Sequence, residues 1–309
     1  MLNLRVIIPA YNEEDCINDF YNNVEPYLKS SGFEYEYLFV DDGSKDGTLN
    51  KIKELREKDP KINYISFSRN FGKENAMYAG LKESLDFDAV IIIDADLQHP
   101  PYLISEMVSK YNEGYKIIYT KQNSRKKEGF GRKLWARMFY SFFNKHADVP
   151  IEQSTKDFMM VDKQVVKAFV EMPDEFRFMK GLLSFVGYKK YCLEFEYVDR
   201  TKGKSKWNFK KLFKYGISGL NEFSSFFLVV PVVASIISFL SIITTVVLEI
   251  FGIFNSVDTF IILLILSILM FVTNISLYFV LYVLYSTRKE AMKRPLYFIE
   301  ESSLGEKDV

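Results

Sequence analysis

The stretch "VIIIDADLQHPP", Val90–Pro101, decides how this chain is read. Four apolar residues run into two aspartates one residue apart, then Gln98, His99 and two prolines. A short apolar run bounded by turn residues reads as a buried strand. Two carboxylates at its end repel each other unless something positive lies between them. The segment is therefore a solvated turn or a cation site. Residues two apart in extended chain share a face, so Asp94 and Asp96 can aim at one point. Hard oxygen ligands of this kind suit Mg2+ or Mn2+ held jointly with a diphosphate.

Working outward, the same pattern recurs. Short apolar runs alternate with amphipathic stretches: "LRVIIPA" before a helix from about Glu13, "YEYLFVDDGS" before one from about Asp46, "INYISFS" before one from about Gly72, and "AVIIID" before one after Pro101. Such alternation implies an α/β domain with a mostly parallel sheet covered by helices. Ligands bind at the carboxyl ends of such strands. One rim then carries Pro9–Glu13, Asp41–Ser44, Ser68–Lys73 and Asp94–Gln98. No G-x-G-x-x-G follows the first strand, which argues against a dinucleotide site. Glu14 favours the positive start of the next helix or the site itself. Asp46 is a candidate N-cap and Gly43 a turn residue. Asp41 and Asp42 form a second carboxylate pair on the rim, which points to a polar, cation-dependent ligand.

The 309 residues include 28 Phe and 20 Tyr, and Lys+Arg and Asp+Glu balance at 40 each. No global field points to nucleic acid. Phe223–Leu248 and Thr259–Thr287 hold no Asp, Glu, Lys or Arg, and each exceeds the roughly 20 residues that cross a bilayer core. A two-helix transmembrane hairpin follows. Lys202, Lys204, Lys206, Lys210, Lys211 and Lys214 precede it, and Arg288, Lys289, Lys293 and Arg294 follow it. The positive-inside rule then sets both termini in the cytoplasm. The opening residues lack the pattern of a signal peptide. Cys16 and Cys192 show no metal-ligand spacing and read as packing residues. The expected domains are a catalytic region over 1–200, a basic juxtamembrane segment over 201–222, the spans over 223–287 and a cytoplasmic tail over 288–309.

"IIPAYNEE", "FVDDGSKDGT", "SRNFGKENAMYAGL" and "DADLQHPP", in this order, resemble the inverting family 2 glycosyltransferases with a GT-A nucleotide-sugar-binding domain. The likeness continues through "KDFMMVDK", "FRFMKGLLSFVGY", "RTKGKSKW" and "KRPLY", as in bacterial polyprenyl-phosphate glycosyltransferases of the bactoprenol glucosyltransferase type, relatives of dolichol-phosphate mannose synthase. The resemblance implies that Pro9, Tyr11, Glu13 and Asp41 surround the base and ribose, with Asp42 close by and Arg69 and Lys73 completing the nucleotide-sugar set. It implies that Asp94, Asp96 and Gln98 surround a metal, Mg2+ or Mn2+, and the diphosphate, and that Asp157 and Asp96 are catalytic. His99 has no separate role in that pattern and reads as structural. Related sequences often carry Gly-Asp-Phe where this one has Lys156-Asp157-Phe158, which leaves Lys156 facing the site or away from it.

The implied reaction is inverting transfer from a UDP-sugar, UDP-glucose or UDP-N-acetylglucosamine in preference to GDP-mannose, to polyprenyl (undecaprenyl) phosphate for cell-envelope glycosylation. Two phosphate-bearing substrates need cations besides the metal. "QNSRKKEGFGRK" and "RTKGKSKW" supply them, making Arg125, Arg132, Arg200, Lys204 and Lys206 candidate ligands of the acceptor phosphate. Lys204 and Lys206 fit equally well with anionic headgroups or positive-inside bias. Phe130–His146 combines basic residues with Trp135 and Phe139, as an interfacial helix does, or its aromatics belong to the core; His146 reads as a helix-end residue. Asn274, inside the second span, favours helix pairing. A homotetramer, a separate flippase and a downstream glycosyltransferase are the expected partners. A processive polysaccharide synthase needs a Gln-x-x-Arg-Trp signature, and the nearest segment, "DEFRFMKG", has neither Gln nor Trp. A non-catalytic membrane scaffold predicts damaged motifs, whereas "DADLQ" is intact.

Overall fold

A computed structural model describes residues 2–123, 155–172, 179–196, 233–234, 236–237, 240, 258–291 and 294–305. Arg125, Arg132, Arg200, Lys204 and Lys206 lie outside the described residues, as do the expected interfacial helix over 130–146 and most of the first span. The chain divides into two units. Met1–Phe142, Val149–Leu212 and Pro295–Val309 form the first, and Phe143–Asp148 and Phe213–Arg294 the second.

Among the described residues, the first unit is built on one sheet in the order β7-β5-β6-β4-β1-β2-β3-β8. β1 (Asn3–Ala10), β2 (Glu34–Asp41), β3 (Ile62–Phe67) and β4 (Ala89–Ile92) run parallel. β6 (Thr155–Asp162) is antiparallel to both β4 and β5 (Ile117–Gln122), and β7 (Lys190–Phe195) is parallel to β5. The helices are α1 (Ile17–Lys29), α2 (Thr48–Lys58), α3 (Lys73–Lys82), α4 (Leu103–Asn112), α5 (Lys163–Glu171) and α6 (Met179–Phe185). The sheet is thus mostly parallel, as the alternation implies. Leu4, Val6, Ile7 and Ile8 of β1 are wholly buried, which is why this strand is a continuous apolar run and not an alternating one. α3 lies close against β1. A Cβ on Gly80 would sit 2.5 Å from Ile7 Cγ2, so glycine lets this helix approach the strand.

Two helix starts differ from expectation, for local reasons. α1 begins at Ile17 and not near Glu13. Asn12 has φ +51°, outside the helical region, and the Asn12 and Glu13 amides donate to Ser44 Oγ and Thr48 Oγ1, at 2.8 Å each. The chain is pinned to the next loop before it can coil. α2 begins at Thr48 with Gly47 in the cap position. Asp46, one residue earlier, accepts from the Thr48 amide and hydroxyl, so the expected cap works from one position upstream.

The end of the chain returns to this sheet. β8 (Ile299–Ser302) pairs antiparallel with β3 and forms an edge, anchored by Lys53–Glu301 at 2.6 Å and Tyr64 Oη–Glu301 at 2.6 Å. Part of the segment expected as a tail is therefore a strand.

In the second unit, α7 (Asp258–Ala291) is one continuous helix of 34 residues. Among the described residues, no helix is long and apolar enough to cross a membrane. α7 reaches the length on its own, about 50 Å at 1.5 Å per residue. Thr273, Ser276 and Thr287 donate their hydroxyls to the carbonyls four residues earlier, which satisfies them within the helix.

Candidate functional site

The order β3-β2-β1-β4 means that the winding reverses between β1 and β4, and a crevice at the carboxyl ends of such strands is where open α/β sheets bind ligands. Near the end of β1, Pro9 is in register with Val40 and the last residue, Ala10, is opposite Asp41. Tyr11 and Glu13 follow, half-buried, on the β1–α1 loop. Glu14 turns away from its own helix and accepts from the Gly47 amide at 2.8 Å, so it serves the start of α2.

The two aspartates at the end of β2 are both buried and face different partners. Asp41 accepts from Ser66 Oγ at 2.8 Å and from the Ser44 amide at 3.2 Å, which ties the β2–α2 loop to β3. Asp42 turns to the β3–α3 loop. Its carboxylate accepts from the amides of Phe71 (2.6 Å) and Gly72 (2.9 Å) and from Asn70 Nδ2 (2.8 Å). Burial pushes the Asp42 carboxyl up to about 6, against the pull of those two amides. Gly43 adopts φ +63°, and a Cβ there would lie 2.4 Å from the Arg69 carbonyl carbon. The two loops therefore touch backbone to backbone. Arg69 itself is exposed and lies over the Phe71 ring at 3.9 Å.

β4 stops at Ile92, and Ala95–Asp96 are in a turn, not in an extended strand end. Leu97 has φ +57°, a left-handed conformation that costs a branched residue energy and clusters at functional loops. Among the described residues, Asp94 and Asp96 make contacts with different groups. Asp96 Oδ1 accepts from the Gln98 amide at 3.2 Å. Asp94 contacts Lys73 Nζ at 2.6 Å and His99 Nε2 at 3.3 Å. Among the described residues there is no group of three or more His, Cys, Asp or Glu arranged to hold a metal.

Asp157 arrives on β6, the strand directly beside β4. β6 pairs Met159 with Ile92 and Met160 with Ile91, so Asp157 and Asp94 each lie two residues beyond the last paired position, at the same end of the two strands. Lys73, the first residue of α3, fills the space between them, 2.6 Å from Asp94 and 2.5 Å from Asp157. All three side chains are half-buried. Desolvation pulls Lys73 down, but Asp157 and then Asp94 outweigh it and hold the ammonium above the ordinary lysine range. Burial alone would raise Asp94; Lys73 and then His99 hold it well below the usual carboxylate range. His99 is buried, with its ring 5.4 Å from Phe158 and 6.0 Å from Phe195, so it supports Asp94 from the core side. Lys156 is half-buried on β6.

The crevice thus brings together Asp41, Asp42, Arg69, Lys73, Asp94 and Asp157. It separates the contacts of Asp94 from those of Asp96, and Gln98 enters through its backbone amide. Two contacts went unread in the sequence: Lys73 as the link between Asp94 and Asp157, and His99 as a partner of Asp94. The signal for the first is Lys at the opening of α3, one residue after Gly72 with φ +97°. Cys16 and Cys192 are free thiols, buried and half-buried.

A mostly parallel α/β sheet with a charged crevice at its switch point defines a class of ligand-binding enzyme domain. Residues 5–169 match the model of Glycosyl transferase family 2, and the chain belongs to that family, with its GT-A fold. It is 40% identical over 221 residues to the putative glycosyltransferase CsbB of Bacillus subtilis (strain 168), covering 72% of this chain and 67% of that one. It is 39% identical to the uncharacterized glycosyltransferase sll0501 of Synechocystis sp., covering 72% and 70%. It is 36% identical to the bactoprenol glucosyl transferase of Shigella phage SfX, covering 73% of each.

Proposed function

We propose that this family 2 glycosyltransferase moves one sugar from a nucleotide-sugar to polyprenyl phosphate, with inversion at the anomeric carbon. UDP-glucose or UDP-N-acetylglucosamine is the favoured donor and GDP-mannose the alternative. The observation that carries the reading is the Lys73 bridge between Asp94 and Asp157 at the switch-point crevice. It sets a fixed cation and a carboxylate from another strand at one point, as the meeting of two phosphate groups demands. The relative named as a bactoprenol glucosyl transferase supports the choice of acceptor and of glucose.

A rim rich in carboxylates repels a diphosphate unless a cation intervenes. Asp94, Asp96 and the Gln98 side chain offer oxygen donors within five residues. Mg2+ asks for only one or two protein carboxylates, because phosphates and water supply the rest. The donor set therefore fits Mg2+ or Mn2+ without a third acidic ligand, and these three residues would hold it. Such an ion neutralises charge on the departing diphosphate.

The acceptor phosphate, with a second pKa near 6, is largely a dianion at neutral pH and needs positioning more than deprotonation. Its oxygen bonds to the anomeric carbon as the bond from that carbon to the nucleoside diphosphate breaks, the electron pair leaving with the diphosphate. Lys73 and Asp157 act as a pair in this reading: the carboxylate aims the ammonium and the ammonium meets phosphate oxygen. Arg125, Arg132, Arg200, Lys204 and Lys206 add charge on the acceptor side. The chain sits in the cytoplasmic membrane by two spans, Phe223–Leu248 and Thr259–Thr287, with 1–200 and both termini in the cytoplasm. The length of α7 and its exposed Phe271, Tyr278, Leu281 and Tyr285 support the second span. The downstream product is a lipid-linked sugar for envelope glycosylation, flipped by another protein.

The test is transfer of radiolabelled sugar to undecaprenyl phosphate by the purified full chain, with UDP-glucose, UDP-N-acetylglucosamine, UDP-galactose and GDP-mannose in parallel, and Mg2+, Mn2+ or EDTA. Labelled lipid is expected from one UDP-sugar, abolished by EDTA and by Asp157→Ala. Equal lipid label from wild type and Asp157→Ala would sink the mechanism.

A further inference from the structure

We propose that Tyr297 and Phe298, just ahead of β8, are positioning residues for the donor side of the crevice: they hold the β3–α3 loop, Ser68–Gly72, against Asp42. The inference rests on the nucleotide-sugar reading for what the loop receives, but not for the clamp itself. The Phe298 carbonyl accepts from the Ser68 amide at 3.0 Å. The Tyr297 ring stacks on Phe67 with centroids 4.8 Å apart and planes at 17°, and meets Tyr78 of α3 edge-on at 6.4 Å. Phe298 lies 6.1 Å from Phe71, which in turn packs edge-on against Phe67 at 5.8 Å. These rings join the end of β3, its loop, the following helix and the returning chain in one cluster.

The opposite side of the same loop makes the site. Phe71 and Gly72 give their amides to Asp42, Arg69 abuts Gly43, and Lys73 follows directly and links Asp94 to Asp157. The loop is thus held from within by carboxylate and glycine, and from outside by Phe298, while Tyr297 braces Phe67 and Tyr78 at its two ends, both aromatic residues lying more than 220 positions further along the chain. Covering the exposed edge of β3 requires only the strand Ile299–Ser302. Tyr297 and Phe298 precede that strand, and the register shift at Ser66/Phe67 redirects the chain at this point towards the loop. Phe298 therefore packs on Phe71 of the loop, and Tyr297 on Phe67 and Tyr78 at its two ends.

The experiment uses the full chain as wild type, Tyr297→Ala, Tyr297→Phe and Lys53→Ala, the last loosening β8 without touching the rings. Amide hydrogen exchange without ligand is expected to rise about tenfold at Phe71 and Gly72 in Tyr297→Ala while β1 and β2 amides stay unchanged. Tyr297→Phe retains the ring that stacks on Phe67, so its exchange rises less than that of Tyr297→Ala. With UDP-glucose as the probe, or whichever donor the wild type turns over, Tyr297→Ala raises KM about fivefold with kcat nearly constant. Unchanged exchange at Phe71 and Gly72 overturns the clamp. Raised exchange with unchanged KM overturns the positioning role, and so does an equal effect from Lys53→Ala. If the wild type turns over no nucleotide-sugar, the functional reading fails separately, and the exchange result still decides whether the clamp exists.

Discussion

Replacing Gly43 by alanine should disable the crevice by moving one backbone segment, and Gly32→Ala supplies the matched control. Both glycines have positive φ, +63° at Gly43 and +77° at Gly32. Each alanine therefore pays about 1–2 kcal/mol for the left-handed conformation. At Gly32 nothing lies within 4 Å of the added Cβ, so that cost is the whole effect. At Gly43 the Cβ lands 2.4 Å from the Arg69 carbonyl carbon and 2.8 Å from its oxygen. The Arg69 backbone must retreat by about 1 Å to reach ordinary contact. Overpacking of that kind adds about 1–3 kcal/mol, which brings Gly43→Ala to about 2–5 kcal/mol. The functional cost is larger, because Arg69 leads into Asn70, Phe71 and Gly72, which hold Asp42, and then into Lys73. A displacement of about 1 Å in a positioning element lowers turnover about 100-fold. The assay is a thermal melt of both variants beside steady-state sugar transfer. Gly43→Ala should lose about two orders of magnitude in kcat/KM and Gly32→Ala almost none. If the two variants agree within about threefold in kcat/KM, the close approach of the loops does not govern the site.

Two further outcomes follow from charge. Lys73→Met leaves Asp94 and Asp157 facing each other with no ammonium between them, and kcat/KM should fall about 100–1,000-fold with the fold intact by circular dichroism; Lys73→Arg should recover part of the loss, and a variant within about threefold of wild type would remove Lys73 from the mechanism. Asp42, whose folded value of about 6 lies above its ordinary 3.8, contributes stability that is full below about pH 4 and lost as pH rises through about 6. Asp42→Asn removes that titration, so melts of variant and wild type should shift in the variant's favour by up to about 3 kcal/mol between pH 4 and pH 7.5; a constant difference across that range would refute the burial-driven shift.

The parts of this protein that were legible in its sequence are those set by neighbours along the chain. "LRVIIPA" and "YEYLFVDDGS" read as buried parallel strands because both faces need apolar residues, and β1 and β2 are those strands. Gly43 reads as a turn residue and has the positive φ of one. The start of α1 slipped because side chains from another loop intervened. Ser44 and Thr48 hold the Asn12 and Glu13 amides, and no pattern local to α1 records that. The same reasoning explains the pairings that escaped notice. "KDFMMVD" has the composition of a strand, but its direction and its place between β4 and β5 depend on which edges remain open once the first four strands have formed. "IEES" carries no apolar alternation at all and is a strand only because β3 offers an edge.

The carboxylates follow from this division. Asp94 and Asp96 looked like one bidentate group because they are two residues apart, yet the chain turns after Ile92 and Leu97 adopts a left-handed conformation, which gives them different partners. Asp94 instead shares Lys73 with Asp157, 63 positions away in sequence on β6, the strand that pairs with β4. Two carboxylates so placed are stable only with a cation between them, and the fold supplies Lys73 for that purpose from the first turn of α3. A charged triad assembled from a helix, a loop and a strand is more sensitive to loop position than one carried on a single turn. That is why glycine at 43 and the aromatic contacts at 297 and 298, none of which touches either carboxylate, bear on the chemistry of the crevice.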